Sequence, residues 1–122
     1  MKVLIVATKA DRSALWARHL QRSGAQVTLA ETTDGAVENL LAHAPDIVIV
    51  DLALPSGGAL TLSDMISYRR PEAKVIFISD GRFFSDGSIF AHCANACAFL
   101  PAATAPEDIV ALAEHHGDAA AG

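Results

Sequence analysis

Short apolar runs recur along the chain at fairly even spacing, and more polar segments separate them. Three of these runs, Lys2 to Val6, Ile47 to Val50 and Lys74 to Ile78, are nearly continuous in β-branched or aliphatic residues. That composition is typical of parallel strands that are covered on both faces. Two further short runs extend from Gln26 to Leu29 and from Cys97 to Leu100. The pattern therefore predicts five strands inside an α/β fold.

Helical patterns lie between the first three runs. Asp11 or Ser13 is a candidate N-cap for a first helix, which Gly24 ends. One of the threonines at 32–33 opens a second helix, in which apolar residues repeat with the i, i+3, i+4 spacing of a buried stripe until Pro45. Both segments predict helices that pack against the sheet.

Three more helices are predicted in the second half of the chain. One runs over about 59–68, one starts at position 85 or 86 and ends near 94, and the last begins at Pro106. Strands that alternate with helices through short loops favour right-handed crossovers and a parallel sheet. We therefore expect one domain over residues 1–117, followed by a small-residue tail at 118–122.

Composition and charge narrow the classes of partner. The chain has 122 residues, of which 52% are hydrophobic and 19% charged, as expected for a compactly folding domain. Its net charge of -5 has the wrong sign for holding nucleic acid or anionic lipid. No apolar run is long enough to span a membrane, and the first run is too short for a signal peptide. We therefore expect a cytoplasmic protein with no nucleic-acid or membrane partner.

Enzyme and metal motifs are missing at the strand ends, where open α/β sheets bind ligands. The residues after the first run, 7–10, contain no glycine, so a nucleotide-binding loop is disfavoured. All five histidines fall in predicted helices, away from the strand ends where a hydrolase base would be needed. Cys93 and Cys97, beside His92, lack the spacing and the fourth ligand of a zinc site. The sequence therefore predicts neither an enzyme nor a metal site.

One segment, from Pro45 to Pro55, resembles a known family. It reads PDIVIVDLALP and is similar to the third strand of bacterial response-regulator receiver domains, whose aspartate accepts a phosphoryl group from a histidine kinase. Asp51 is the matching aspartate, and a proline follows it four residues later, as in the family. Residues 1–6, 75–79 and 96–101 are similar to the family's first, fourth and fifth strands. The resemblance covers nearly the whole chain. It implies a flavodoxin-like, doubly wound sheet with strand order 2-1-3-4-5 and a role in two-component signal transduction.

Departures from the family concern its phosphorylation chemistry. Receivers place two acidic residues after the first strand to hold Mg²⁺, and this chain has Ala7 and Thr8 there. The family's lysine after the fifth strand corresponds to Ala102, and no other cation stands beside it in the sequence. Phosphoryl transfer depends on positive charge that neutralises the phosphoryl oxygens. We therefore expect a divergent receiver with a degenerate phosphorylation site, weak or absent Mg²⁺ binding and no other cofactor.

The resemblance assigns Ser79, Asp80 and Phe99 to the switch region or pocket around Asp51. Three roles stay open for that pocket. Asp51 is a relic or weakly used acceptor, or it is a working phosphoacceptor in a phosphorelay, or the former acidic pocket binds a small ligand. The first role is preferred because the metal ligands and the lysine are missing.

An aromatic segment is the candidate partner surface. Phe83, Phe84 and Phe90 stand where receivers usually carry a polar loop. Adjacent phenylalanines are difficult to bury together, and an exposed ring would suit a docking anchor. No output domain follows the last helix, so we expect a stand-alone domain that binds a histidine kinase, a phosphotransferase or a downstream target. The face made by the fourth helix, fifth strand and fifth helix is the expected surface for a target or a homodimer.

Overall fold

The protein, described by a computed structural model, forms one parallel sheet of five strands. The structure describes residues 1–8, 10–52, 58–79, 95–101 and 103–121. The strands are β1 (Lys2–Val6), β2 (Gln26–Ala30), β3 (Ile47–Asp51), β4 (Lys74–Ser79) and β5 (Ala96–Pro101). Their order is β2-β1-β3-β4-β5, which confirms the predicted flavodoxin-like sheet. Each strand boundary lies at the predicted residue or one residue beyond it.

Four helices accompany the strands within the described residues. They are α1 (Ala10–Arg22), α2 (Thr33–His43), α3 (Gly58–Arg69) and α4 (Pro106–Ala121). The helix predicted to start at position 85 or 86 lies outside the described residues, so α4 corresponds to the last predicted helix. It begins at Pro106, as predicted, and it continues through residues 118–121 of the expected tail.

The helices cover both faces of the sheet because side chains alternate along each strand. On one face, Leu40 of α2 and Leu62 of α3 pack with strand residues such as Phe77. On the other face, Trp16 of α1 and Ile109 of α4 belong to a second buried cluster. Full burial of one such side chain contributes roughly 1.5–3 kcal/mol. The predicted doubly wound arrangement is therefore confirmed, with a hydrophobic core on each side of the sheet.

The predicted N-cap residue is confirmed for α2 but not for α1. Thr32 caps α2, and its hydroxyl accepts a hydrogen bond from the Gly35 N–H at 3.0 Å. The prediction that Asp11 or Ser13 caps α1 is wrong, because the helix already begins at Ala10. Asp11 lies in the first turn, where a negative charge suits the helix dipole. Ser13 is buried inside the helix rather than placed before it.

The amino edge of the sheet, where the strands begin, is tied by side chains that bind backbone groups. Arg70 follows α3 and donates from Nε to the Leu40 carbonyl and from Nη2 to the Leu41 carbonyl, each at 3.0 Å. Those carbonyls lie in the last turn of α2, which has no internal donors for them. The buried Asn95 donates from Nδ2 to the Arg70 carbonyl at 2.9 Å. These contacts link the end of α2, the end of α3 and the start of β5.

The strand β5 departs from regular pairing at one residue. Val75 pairs with Ala96, whereas Ile76 pairs with Ala98, so Cys97 is an extra residue in β5. This β-bulge breaks the alternation of side chains, and Cys97 and Ala98 both pack against the cluster on the α1/α4 face. The Cys97 thiol donates to the Val75 carbonyl at 3.5 Å. The last strand of the sheet is therefore irregular near its start.

Candidate functional site

The carboxyl edge of the sheet, where the strands end, carries the candidate site. Asp51 is the last residue of β3 and pairs in register with Ile78 of β4. Ile47 and Ile49 of β3 lie on the face covered by α1 and α4, and alternation assigns Asp51 to the same face. The Asp51 side chain is 1% exposed. The predicted phosphoacceptor is thus a buried carboxylate on the side of the sheet that α1 covers.

Arg12 of α1 lies beside this carboxylate. Its Nη1 is 3.8 Å from Asp51 Oδ2, and its own side chain is 24% exposed. That distance belongs to an ion pair rather than to a hydrogen bond. At about 4 Å, two unit charges attract by about 4 kcal/mol at an effective dielectric constant of about 20, and the cost of removing them from water offsets much of that gain. The pair therefore compensates charge more than it adds net stability.

Sequence reasoning missed Arg12 because its search for a cation stayed next to Ala102. Two signals could have found this residue. The helix α1 starts soon after β1 ends, so its first turn stands near the carboxyl edge of the sheet. In addition, a positive charge in the first turn of a helix is slightly unfavourable, so an arginine there gains from a negative partner nearby. Asp51 supplies that partner.

The described residues at the family's magnesium positions do not fit the ion. Ala7 is buried in the cluster on the α1/α4 face and supplies a methyl group, and Thr8 is exposed. Mg²⁺ prefers near-octahedral oxygen ligands at about 2.0–2.1 Å, and Asp51 is the one carboxylate at the family's three positions. The guanidinium of Arg12 would also repel a divalent cation placed at Asp51. No chemical step through a metal ion is therefore derived from this site.

The structure describes two of the other predicted site residues, Ser79 and Phe99. Ser79 is buried at the end of β4, one residue beyond Ile78, and so lies at the same edge of the sheet as Asp51. Phe99 of β5 is half-buried and packs against the cluster on the α2/α3 face. Five further positions lie outside the described residues: Asp80, Phe83, Phe84, Phe90 and Ala102. The described site therefore consists of the Arg12 and Asp51 pair, with Ser79 at the neighbouring strand end.

A cavity among the described residues lies at the amino edge of the sheet. Its lining includes Lys2, Gln26, Asn39 and His43, which come from the starts of β1 and β2 and from the end of α2. It is therefore separate from Asp51 and does not support a ligand site beside that residue. The described residues also include no group of three or more His, Cys, Asp or Glu side chains that could hold a metal ion.

Comparison with known families and structures gives a consistent result. The family model described as "Response regulator receiver domain" matches residues 3–114. The receiver domain of NtrX from Brucella abortus is 25% identical, with a TM-score of 0.85 over 95% of this chain and 98% of that chain. A CheY-like receiver domain protein from Methanospirillum hungatei JF-1 is 18% identical, with a TM-score of 0.88 over 98% of this chain and 94% of that chain. The NtrX and CheY-like structures share the fold described above.

A curated relative gives a more limited match. The photosynthetic apparatus regulatory protein RegA from Rhodobacter capsulatus is 30% identical over 63 residues, which cover 52% of this chain and 34% of RegA. The chain therefore matches about a third of the length of that relative. In the part of the chain that the structure describes, the helices are too short or too polar to cross a membrane.

Proposed function

Because the chain belongs to the response regulator receiver domain family, we propose that it acts by binding another protein and that its phosphorylation site is degenerate. The family provides signalling domains of two-component systems, and its members interact with partners such as kinases. Under this proposal Asp51 keeps the family's acceptor position but no longer serves as an efficient acceptor. The protein is then a binding module and not an enzyme.

The observation that carries this proposal is the pairing of Asp51 with Arg12. Rapid phosphoryl transfer needs positive charge around the phosphoryl oxygens and an open line of attack for the accepting oxygen. Asp51 Oδ2 is instead buried and faces a guanidinium at 3.8 Å. Ala7 and Thr8 add no carboxylate that could recruit a metal ion. These features favour a pocket that is already charge-compensated before any phosphoryl donor arrives.

The proposed partner is another signalling protein, bound on the side of the sheet that β5 and α4 form. β5 lies at the edge of the sheet and its residues 96–100 are half-buried. Phe83, Phe84 and Phe90 precede β5 in the chain and remain the candidate docking anchors. A homodimer through the same side is the alternative form of this interaction.

A labelling experiment tests the degenerate site. We expect acetyl phosphate with millimolar Mg²⁺ to label the protein slowly or not at all, because the metal ligands and the lysine are missing. Mass spectrometry of the intact protein measures the added phosphoryl group. Rapid labelling that disappears in Asp51→Asn would contradict the proposal and favour the phosphorelay.

A restored variant provides the matched control. Ala7→Asp, Thr8→Asp, Arg12→Ala and Ala102→Lys together return the family's charges and remove the competing guanidinium. We expect this variant to be labelled at least about tenfold faster than the natural chain, since charge stabilisation is a large part of phosphoryl-transfer catalysis. Equal rates in the two proteins would show that these positions do not limit phosphorylation.

A further inference from the structure

We propose that Arg12 is the resident cation of the Asp51 site and replaces the divalent metal ion that the family's carboxylates hold. The inference deepens the proposed function and depends on it for the identification of Asp51 as the family's acceptor position. It adds that the chain itself holds this position in a metal-independent, charge-compensated state. Arg12 is thus assigned a positioning role toward Asp51 rather than a catalytic one.

The geometry of the pair is the first support. Arg12 Nη1 lies 3.8 Å from Oδ2 of Asp51, and the Asp51 side chain is 1% exposed. A carboxylate buried to this degree is costly unless positive charge or hydrogen-bond donors compensate it. A guanidinium suits this role because it stays charged in proteins and is more weakly hydrated than an ammonium group. Arg12 therefore brings a permanent positive charge to a buried negative one.

The place of Arg12 in α1 is the second support. It is the third residue of the helix, within the first turn, where the unpaired backbone N–H groups carry a partial positive charge. An arginine at this position is unfavourable for the helix alone. A buried carboxylate in front of it removes that disadvantage. Asp51 thus offsets the unfavourable helix-dipole interaction of Arg12, and Arg12 offsets part of the desolvation cost of the buried Asp51 carboxylate.

The balance of charges is the third support. The family's site combines three carboxylates with a divalent ion and a lysine. In this chain two of the three carboxylate positions are Ala7 and Thr8, and the lysine position is Ala102. One of the three carboxylates then remains, and the guanidinium of Arg12 lies beside it. The substitutions at positions 7, 8 and 102 and the pairing with Arg12 therefore form one consistent set.

Thermal unfolding with and without Mg²⁺ tests the inference on four proteins: the natural chain, Arg12→Ala, Asp51→Asn and the double variant. We expect Arg12→Ala to lower the melting temperature by about 4 °C, because it removes a positive charge from beside a buried carboxylate. The double variant should recover at least half of that loss. We further expect 10 mM MgCl₂ to leave the melting temperatures of the natural chain and of the double variant unchanged, because one carboxylate or none at the family's three positions does not hold the ion.

A control variant separates the pair from a general effect of charge on α1. Arg18→Ala removes an exposed arginine of the same helix, and it should keep the natural melting temperature and remain insensitive to MgCl₂. Potassium chloride at equal ionic strength replaces MgCl₂ in a parallel titration, so that screening is distinguished from binding.

Three results would overturn the inference. If Arg12→Ala melts like the natural chain, or if Asp51→Asn does not relieve its instability, the pair does not compensate Asp51. If the natural chain itself shows saturable stabilisation by Mg²⁺, the site uses a metal ion. The labelling experiment reports on the proposed function separately. If labelling is slow and Arg12→Ala melts like the natural chain, the role of Arg12 is excluded but the degenerate site stands. If labelling is rapid and is lost in Asp51→Asn, the degenerate site is contradicted whatever the melting data show.

Discussion

The two edges of the sheet hold their polar side chains in different ways. At the amino edge, Arg70 and Asn95 bind backbone carbonyls through hydrogen bonds of 2.9 to 3.0 Å. At the carboxyl edge, Asp51 meets Arg12 in a longer ion pair at 3.8 Å. The first arrangement pairs side chains with backbone carbonyls at helix ends, and the second pairs two oppositely charged side chains.

This difference separates residues that bind backbone groups of the fold from residues that pair charges at the candidate site. The carbonyls that Arg70 satisfies exist in any protein with this helix packing, so their partner has a structural role. Asp51 instead pairs with the side chain of Arg12. We expect a neutral side chain of the same shape to fit at the end of that strand. Substitutions at the two edges should therefore differ in their cost.

The largest effect is expected at the amino edge. Arg70→Ala should lower the free energy of unfolding by about 2–3 kcal/mol, because two carbonyls of α2 lose a charged donor. Urea denaturation followed by circular dichroism measures this loss. Arg69→Ala is the matched control, since Arg69 is exposed and stacks over Tyr68 on the surface. A loss as large for Arg69→Ala as for Arg70→Ala would contradict the structural role of the two hydrogen bonds.

A smaller effect is expected at the carboxyl edge. Asp51→Asn keeps the shape of the side chain and removes one buried charge, so the lost ion pair and the relieved desolvation nearly cancel. The free energy of unfolding should change by less than about 1 kcal/mol in the same urea assay. A destabilisation equal to that of Arg70→Ala would show that Asp51 is needed for the fold. The distinction between the two edges would then fail.

The sequence predicted the sheet better than it predicted this contrast. The strands could be predicted because continuous β-branched runs, such as that from Ile47 to Val50, are buried on both faces, and such burial determines the composition of a strand. The cap of α1 was mispredicted because Asp11 and Ser13 are good capping residues that here lie inside the helix. The pairing of Arg12 with Asp51 joins residues far apart in the chain, and no local pattern encodes such a contact.

The smallest expected effect is the pH dependence of stability that His116 causes. His116 of α4 has a lowered pKa, first because of partial burial and then because of the positive charges of His115 and Lys74. The unfolded chain therefore binds a proton more readily, with a pKa near the ordinary value of about 6.5. Stability is unaffected above that pH and should fall slightly as the pH drops through about 6.5 toward the lowered pKa of the folded state.

Urea midpoints measured between pH 5 and pH 8 test the role of His116. We expect His116→Gln to be less sensitive to acid than the natural chain, since its side chain cannot take up the proton. The acid sensitivity of Asp51→Asn should match that of the natural chain, because the histidine is unchanged. Identical pH profiles for His116→Gln and the natural chain would remove His116 as a source of the dependence.

The bulge at Cys97 has a consequence for the behaviour of the protein in concentrated solution. A regular edge strand offers a continuous row of backbone groups on which a strand of another molecule can be added, and this is a common route to aggregation. β5 is the edge strand next to β4, and its extra residue interrupts the regular spacing of those groups. A bulge also increases the local twist of the strand. We therefore expect the irregularity at Cys97 to make this edge a poorer template for strand addition than a regular edge strand would be.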